Sequence, residues 1–213
     1  MTTTPDLENP IHTGKRRIGT AIRLTVGFVV AIWGVFILDT LTGGWLKYYG
    51  IHPLDPSALS GIVTSPFLHA DLMHLMSNTM PGAIFVFLIG LSGRRVFWEV
   101  TAISAVVGGM GTWLFGGIGT NHIGVSGLIY GWFSYLVIRG IANRNLLHII
   151  LGVILATAYS CYIWGVIPGT PGISWQGHLF GGIGGALAGW FITSDDTQAR
   201  RRNGTSNDPT RWQ

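Results

Sequence analysis

The sequence predicts an all-α integral membrane protein with six transmembrane helices and both termini in the cytoplasm. Of its 213 residues, 48% are hydrophobic and only 10% are charged, so the chain has too few charges to cover a soluble surface. Its mean hydropathy is +0.44. Six apolar stretches follow one another along the chain, most of them near the length of about 20 residues that a bilayer requires. Short basic clusters separate them, which is typical of a multi-pass membrane protein.

The six predicted spans differ in length, and the fourth is clearly short. They cover Leu24–Leu41, Leu72–Leu91, Val96–Phe115, Val125–Ile138, Leu146–Ile167 and Trp175–Ile192. The connections 116–124 and 168–174 carry no charged residue, whereas the first external connection, over residues 42–70, is long. It contains Trp45, Tyr48 and Tyr49, aromatic residues suited to the headgroup zone of a membrane or to an ordinary aromatic belt.

The distribution of positive charge predicts the orientation. Lys47 alone falls on one side of the six-span arrangement, and the other basic residues fall on the opposite side, which is therefore cytoplasmic. We expect a flexible cytoplasmic segment over residues 1–19, a six-helix domain over 20–194 and a flexible cytoplasmic tail over 195–213. The basic residues form short clusters rather than one continuous face, so nucleic acid is not expected as a partner.

A few polar side chains inside the predicted spans require an explanation, because such residues are costly in lipid and often mark a site. His69 and His74 flank the start of span two, and Asn78 follows His74 by four residues on the same helical face. His178 opens span six. The histidines at positions 12, 52 and 148 lie in the tail, in the long connection and at a helix end, so we interpret them as solvated or structural.

Two Gly-x-Ser-Gly tetrads offer two candidate serine nucleophiles, Ser92 and Ser126. Ser92 lies at the cytoplasmic end of span two, where the sequence Ser-Gly-Arg-Arg is typical of a helix C-terminus. Ser126 lies at the external start of the short span four. Thirteen residues at 1.5 Å each raise Ser126 about 20 Å above Arg139. The same measure places His178 and Asn78 about 25 Å above the cytoplasmic boundary, so Ser126, His178 and Asn78 are predicted to meet at similar depth.

Glycine faces on spans four and six predict that these two helices pack closely. Gly127 and Gly131 form such a face on span four, and Gly181, Gly185 and Gly189 form one on span six. Close packing would bring the Ser126 hydroxyl toward the His178 imidazole. The same glycines would equally serve to pack any helix bundle.

In this order and on these helices, the motifs resemble the rhomboid family of intramembrane serine proteases. The resemblance covers about residues 20–194 and suggests the minimal six-helix prokaryotic form. Its elements are His69-Ala-Asp-Leu-Met-His74-Leu-Met-Ser-Asn78, Gly124-Val-Ser126-Gly127 followed by Tyr130, and Gly177-His178-Leu-Phe-Gly181 with Gly185. The long first loop lacks the Trp-Arg pair common in bacterial relatives, and span two ends without the glutamate often found there.

The resemblance implies a role for each of these residues. Ser126 would attack the scissile carbonyl, and His178 would take its proton and later deliver it to the leaving amine. Asn78 and His74 would help to hold the oxyanion, in keeping with the need for donors at a developing negative charge. Tyr130 would pack against the imidazole, although it could also be an ordinary interface aromatic. His69 would tie the first loop to span two.

The sequence offers no carboxylate at the depth of Ser126, so a Ser-His dyad is expected rather than a triad. We expect packing to replace the missing group that would orient the imidazole. Neither a cofactor nor a metal is predicted, because the five-residue step between His69 and His74 does not place both on one helical face. The expected substrates are single-span membrane proteins, cleaved near the extracytoplasmic boundary of the cell membrane.

Two other classes of function would also account for polar residues inside the predicted spans. An inactive rhomboid-like protein that binds membrane clients is the nearest alternative, but such a protein is expected to lack the nucleophile or the base. A transporter or channel could also use buried histidine and asparagine. The sequence shows neither an inverted repeat nor an intramembrane acid that would couple ions.

Overall fold

The computed structural model describes the backbone of residues 10–192 and the side chains from residue 14 onward. It contains eight α-helices: α1 Pro10–Leu41, α2 Gly61–Thr64, α3 Leu72–Gly90, α4 Arg94–Phe115, α5 Ser126–Ala142, α6 Leu146–Ala158, α7 Tyr162–Gly165 and α8 Trp175–Phe191. Within residues 10–192 the chain forms no strand, and the only β-type pairing is an isolated bridge between Ile51 and His122. The predicted all-α class is confirmed.

Each of the six longer helices overlaps one of the six predicted spans. Two of them, at Gly14–Leu41 and Leu72–Gly90, are long and apolar enough to cross a membrane by length and composition, and α6 is apolar but shorter. The count of six spans and the orientation of the termini stay predictions. Helix α1 begins at Pro10, inside the segment expected to be flexible. Residues 1–9 and 193–213, which contain the rest of that segment and the whole predicted tail, lie outside the described residues.

The prediction of one continuous helix over Leu146–Ile167 is wrong. Helix α6 ends at Ala158, and the chain then turns through hydrogen bonds of the i to i+3 kind, including one of 2.9 Å from the Tyr162 amide to the Tyr159 carbonyl. The rings of Tyr159 and Tyr162 pack edge to face at a centroid distance of 5.3 Å. Both rings also contact Phe85 of α3, so inward packing of the aromatic side chains favours the turn over a continued helix.

The connection between α1 and α3 is built from short helical turns that bond to their surroundings. The carboxylate of Asp39, at the end of α1, accepts a hydrogen bond of 2.8 Å from the Leu46 amide. The Lys47 ammonium donates to the Ala70 carbonyl at 2.7 Å. The Ile51 amide donates to the His122 carbonyl, and the His122 amide donates in return, each at 2.9 Å. The long loop is thereby attached to α1, to the start of α3 and to the connection before α5.

Helices α5 and α8 pack backbone to backbone along the predicted glycine faces. A Cβ atom on Gly185 would lie only 2.6 Å from the Cα of Gly131, and one on Gly181 would lie 3.2 Å from the Cα of Gly127. Side chains larger than hydrogen are therefore excluded at these contacts. This close approach places the start of α5 beside the first turn of α8.

Candidate active site

Ser126 is the first residue of α5 and is positioned by the glycine two residues before it. Gly124 has a φ of +116°, a conformation that L side chains rarely adopt. Its amide donates to the Ser65 carbonyl at 2.9 Å. A Cβ atom on Gly124 would lie 2.7 Å from the imidazole of His74, so glycine is required for space as well as for conformation. The tetrad thus lets the chain pass close to α3 immediately before Ser126.

His178 lies in the first turn of α8, directly opposite Ser126. The Ser174 hydroxyl caps this helix by accepting from the Gly177 amide at 3.3 Å. The imidazole is buried, and its Nε2 lies 2.8 Å from the Ser126 Oγ. The structure therefore brings the two residues within hydrogen-bond distance although they are 52 positions apart in the sequence.

The other ring nitrogen of His178 fixes its tautomer. Nδ1 lies 2.9 Å from the carbonyl oxygen of Gly165 in α7. Because a carbonyl oxygen only accepts, Nδ1 carries the hydrogen, and Nε2 is left to accept from the Ser126 hydroxyl. The expectation that packing alone would orient the imidazole is therefore incomplete, since a backbone carbonyl takes part.

Packing against the imidazole comes from Tyr130, one turn beyond Ser126. Its ring stacks on that of His178 with a centroid distance of 4.2 Å and an interplanar angle of 9°. The Tyr130 hydroxyl donates to the Tyr162 carbonyl at 2.9 Å, and the ring of Tyr162 stacks on its other side. The imidazole is thus held between a backbone acceptor and an aromatic pair.

Asn78 and His74 approach Ser126 from α3. The Asn78 side chain is 6% exposed, and its amide nitrogen has no hydrogen-bond partner within the described part of the chain. That nitrogen would lie 3.9 Å from a Cβ atom on Gly124, two residues before Ser126. A buried donor without a partner is costly unless a ligand satisfies it. This donor is available to an oxygen that develops charge next to Ser126.

An open cavity of about 660 Å³ connects these side chains. Its wall includes side chains of Ser126, His178, His74 and Asn78. A smaller cavity of about 50 Å³ adjoins Ser126 on another side and is lined in part by Gly127. The larger cavity can admit an extended segment of polypeptide, and the smaller one has room only for a small group.

His69 does not line the larger cavity. Its buried ring packs edge to face on that of His74 with a centroid distance of 5.1 Å. Burial lowers the pKa of His69 to about 4, so the imidazole is neutral at physiological pH. His69 therefore contacts the candidate site through His74.

His122 belongs to none of the predicted site motifs, yet it lines both cavities. Its Nε2 lies 3.0 Å from the Gly116 carbonyl oxygen and must carry the hydrogen, so Nδ1 accepts from the Ser174 hydroxyl at 2.7 Å. Burial lowers the pKa of His122. The available signal was a histidine in an otherwise uncharged connection, two residues before Gly124.

The second tetrad has different surroundings. Ser92 is buried, and its hydroxyl accepts a hydrogen bond of 2.5 Å from the guanidinium of Arg139. A guanidinium remains protonated in proteins and cannot act as a base toward a serine. The environment of Ser92 is thus that of a structural acceptor at the ends of α3 and α5.

The described residues include no group of three histidine, cysteine, aspartate or glutamate side chains placed to hold a metal ion. Among the protonatable groups that line the larger cavity, the imidazole of His178 lies within hydrogen-bond distance of the Ser126 Oγ. The site thus combines the Ser126 hydroxyl, the His178 imidazole that accepts from it and the unpartnered amide donor of Asn78. Such a combination can support acyl transfer.

Comparisons with known proteins point to one family. The family model described as "Rhomboid domain" matches residues 56–195. An uncharacterized protein of Mycobacterium tuberculosis (strain ATCC 25618 / H37Rv) is 38% identical over 181 residues, which cover 81% of this chain and 75% of that protein. An uncharacterized protein of Mycobacterium leprae is 39% identical over 190 residues, covering 84% and 75%. "Putative rhomboid protease YdcA" of Bacillus subtilis is 28% identical over 134 residues, covering 59% and 63%.

Proposed function

The chain belongs to the rhomboid family, and on that premise we propose that it is an intramembrane serine endopeptidase that uses Ser126 and His178 as a catalytic dyad. The observation that carries the proposal is the 2.8 Å contact between the Ser126 Oγ and the His178 Nε2, together with the Gly165 carbonyl on the opposite ring nitrogen. That carbonyl favours the tautomer in which Nε2 can accept the serine proton.

In the proposed reaction the Ser126 oxygen bonds to the scissile carbonyl carbon while His178 takes its proton. The negative charge that forms on the carbonyl oxygen is stabilised by donors from Asn78 and His74. Collapse of the tetrahedral intermediate breaks the peptide bond, and the imidazolium gives its proton to the leaving amine. A water molecule then attacks the acyl-serine with His178 again as base, and this step releases the second product and restores the hydroxyl.

The substrates proposed are single-span membrane proteins, cleaved near the extracytoplasmic boundary of the cell membrane. The apolar outer faces of the helices fit a bilayer, and the size of the larger cavity fits an unwound segment of a substrate helix. The smaller cavity beside Ser126 favours a small side chain next to the scissile bond. In this proposal residues 20–194 form a six-span protease domain, and the terminal segments 1–19 and 195–213 face the cytoplasm.

The test uses the purified chain in proteoliposomes with a model single-span substrate. Wild type is compared with the variants Ser126→Ala, His178→Ala and Ser92→Ala, and each is also treated with a fluorophosphonate that labels reactive serines. We expect cleavage and labelling to be lost in the first two variants and kept in the third. Cleavage that survives Ser126→Ala would refute the dyad. A folded wild type that neither cleaves nor labels would favour the alternative, an inactive family member that binds membrane clients.

A further inference from the structure

The larger cavity carries an uncompensated negative charge at its edge. Of the described residues that line it, Asp71 alone has a carboxylate, and none has an ammonium or a guanidinium. The connections 116–124 and 168–174, which supply much of the remaining wall, contain no charged residue. A polypeptide that enters the cavity therefore meets one fixed acidic group.

The position of Asp71 is fixed by the start of α3. Its Oδ1 accepts a hydrogen bond of 2.8 Å from the His74 amide and so caps the helix. His74 lies three residues later and Asn78 seven residues later, which corresponds to about 5 and about 10 Å along the helix axis. At about 3.3 Å per residue, an extended segment whose scissile carbonyl lies at these donors would pass Asp71 two to three residues away.

The nearest basic group does not neutralise this carboxylate. The Lys47 ammonium donates to the Ala70 carbonyl at 2.7 Å and lies 3.8 Å from the Asp39 carboxylate. Its charge is therefore matched by Asp39, and its side chain does not line the cavity. Asp71 forms no ion pair with any residue that the structure describes. The charges of Asp39, Lys47 and Asp71 therefore add up to one negative charge beside the cavity.

We propose that Asp71 is a specificity-determining residue that selects substrates with a basic side chain two or three residues from the scissile bond. The inference rests on the proposed protease function and names a substrate class for the same site. A lysine or arginine at that distance would face the carboxylate, whereas a glutamate or aspartate would be repelled by it. The effect acts on binding in the ground state and the transition state, so it should appear in kcat/KM.

The experiment uses one model single-span substrate in which a single position is varied at a time. The varied positions lie two and three residues from the cleaved bond, on each side of it. At each position the substrate is made in three forms, with lysine, glutamine or glutamate. For at least one position we expect wild type to cleave the lysine form about three- to tenfold faster than the glutamate form at low salt. Added salt should reduce this ratio because the pair is exposed to water.

The decisive variant is Asp71→Asn, because asparagine caps a helix as well as aspartate does and removes only the charge. The ratio of lysine to glutamate cleavage should fall to about one in Asp71→Asn and should reverse in Asp71→Lys. The matched control is Asp55→Asn, which removes an exposed carboxylate that caps a neighbouring turn but does not line the cavity. It should leave the wild-type ratio unchanged.

Two negative results separate this inference from the function on which it rests. Equal cleavage of the three forms by wild type, or a ratio that persists in Asp71→Asn, would overturn the role of Asp71 and leave the protease assignment intact. Failure of wild type to cleave any form, the neutral one included, would refute the proposed function and the inference with it.

Discussion

The Nδ1 nitrogen of His178 lies 2.9 Å from the carbonyl oxygen of Gly165, which belongs to the short helix α7. A backbone carbonyl thus occupies the place that a carboxylate takes in a Ser-His-Asp triad. Because α7 follows the turn at the end of α6, the orientation of the imidazole depends on a segment outside the two helices that carry Ser126 and His178. In the proposed mechanism this segment is a positioning element.

We predict that Gly165→Ala lowers kcat with little change in KM. The added methyl group would overlap the Tyr130 hydroxyl and stand 3.0 Å from the His178 Nδ1. The Tyr130 ring must therefore shift, and because it stacks on the imidazole we expect His178 to move with it. A displaced base should cost about ten- to a hundredfold in kcat. The control is Gly34→Ala in α1, where a Cβ atom meets no other atom within 4 Å. Equal kcat values in Gly165→Ala and wild type would exclude a positioning role for α7.

Asn78→Ala should lower kcat by about 10²- to 10³-fold while the protein stays folded. The buried Asn78 amide nitrogen has no partner among the described residues, so it is free to bond the oxyanion. Removal of one such oxyanion donor has this effect in a soluble serine protease. Steady-state kinetics on a model substrate gives kcat, and Met80→Ala, which truncates an exposed side chain of the same helix, is the control. A loss confined to KM would contradict the oxyanion role.

Much of this fold could be predicted because its helices begin and end at local signals. The predicted span Leu72–Leu91 differs from α3 by one residue, since Asp71 is a strong N-cap that follows a loop. The end of α6 could not be predicted in this way, because the stretch from Leu146 to Ile167 contains neither a proline nor a charged residue. The turn at Tyr159 depends on tertiary packing of aromatic rings, which hydropathy does not record.

The candidate site, like the fold, could be predicted only in part. The pairing of Ser126 with His178 could be expected from glycine faces and helix lengths, because both can be read directly from the sequence. The Gly165 carbonyl could not be expected, because every residue has a carbonyl and only the fold selects one of them. The role of Asp71 at the cavity edge likewise required the lining of the cavity, since its sequence position indicates only a helix cap.

Ser92→Ala should lower the free energy of unfolding by about 1–3 kcal/mol without loss of fluorophosphonate labelling. The Ser92 hydroxyl accepts from the buried guanidinium of Arg139, and alanine leaves that donor unsatisfied. Denaturant unfolding in detergent micelles measures the stability. Ser92→Thr, which keeps a hydroxyl, should recover part of the loss. Unchanged stability in Ser92→Ala would show that this hydrogen bond contributes nothing measurable.

Protein stability should decrease as the pH falls below about 6.5, with a contribution from His69. Burial lowers the pKa of His69 to about 4, so between these two values the unfolded chain binds a proton that the folded chain does not. His69→Gln removes this contribution. The unfolding free energy of the variant should therefore change less with pH than that of wild type, by up to about 1.4 kcal/mol per pH unit. Unfolding measured at pH 8, 6 and 5 tests the slope, and the pH 8 value isolates any packing defect. Identical slopes would contradict the prediction.

The packing of α5 against α8 predicts opposite outcomes for two glycines of one helix. A methyl group on Gly185 would collide with the backbone of Gly131, so Gly185→Ala must force the helices apart at a cost of about 1–3 kcal/mol in unfolding free energy. Separation of the helices would also lengthen the contact between Ser126 and His178, so activity should fall with stability.

A methyl group on Gly182 meets only the Ser134 hydroxyl, at 3.3 Å, and alanine is the better helix former, so Gly182→Ala should be neutral or stabilising by up to about 1 kcal/mol. Unfolding and cleavage are measured on both variants in the same micelles. Equal behaviour of the two variants would mean that the close approach of α5 and α8 does not determine the position of Ser126 relative to His178.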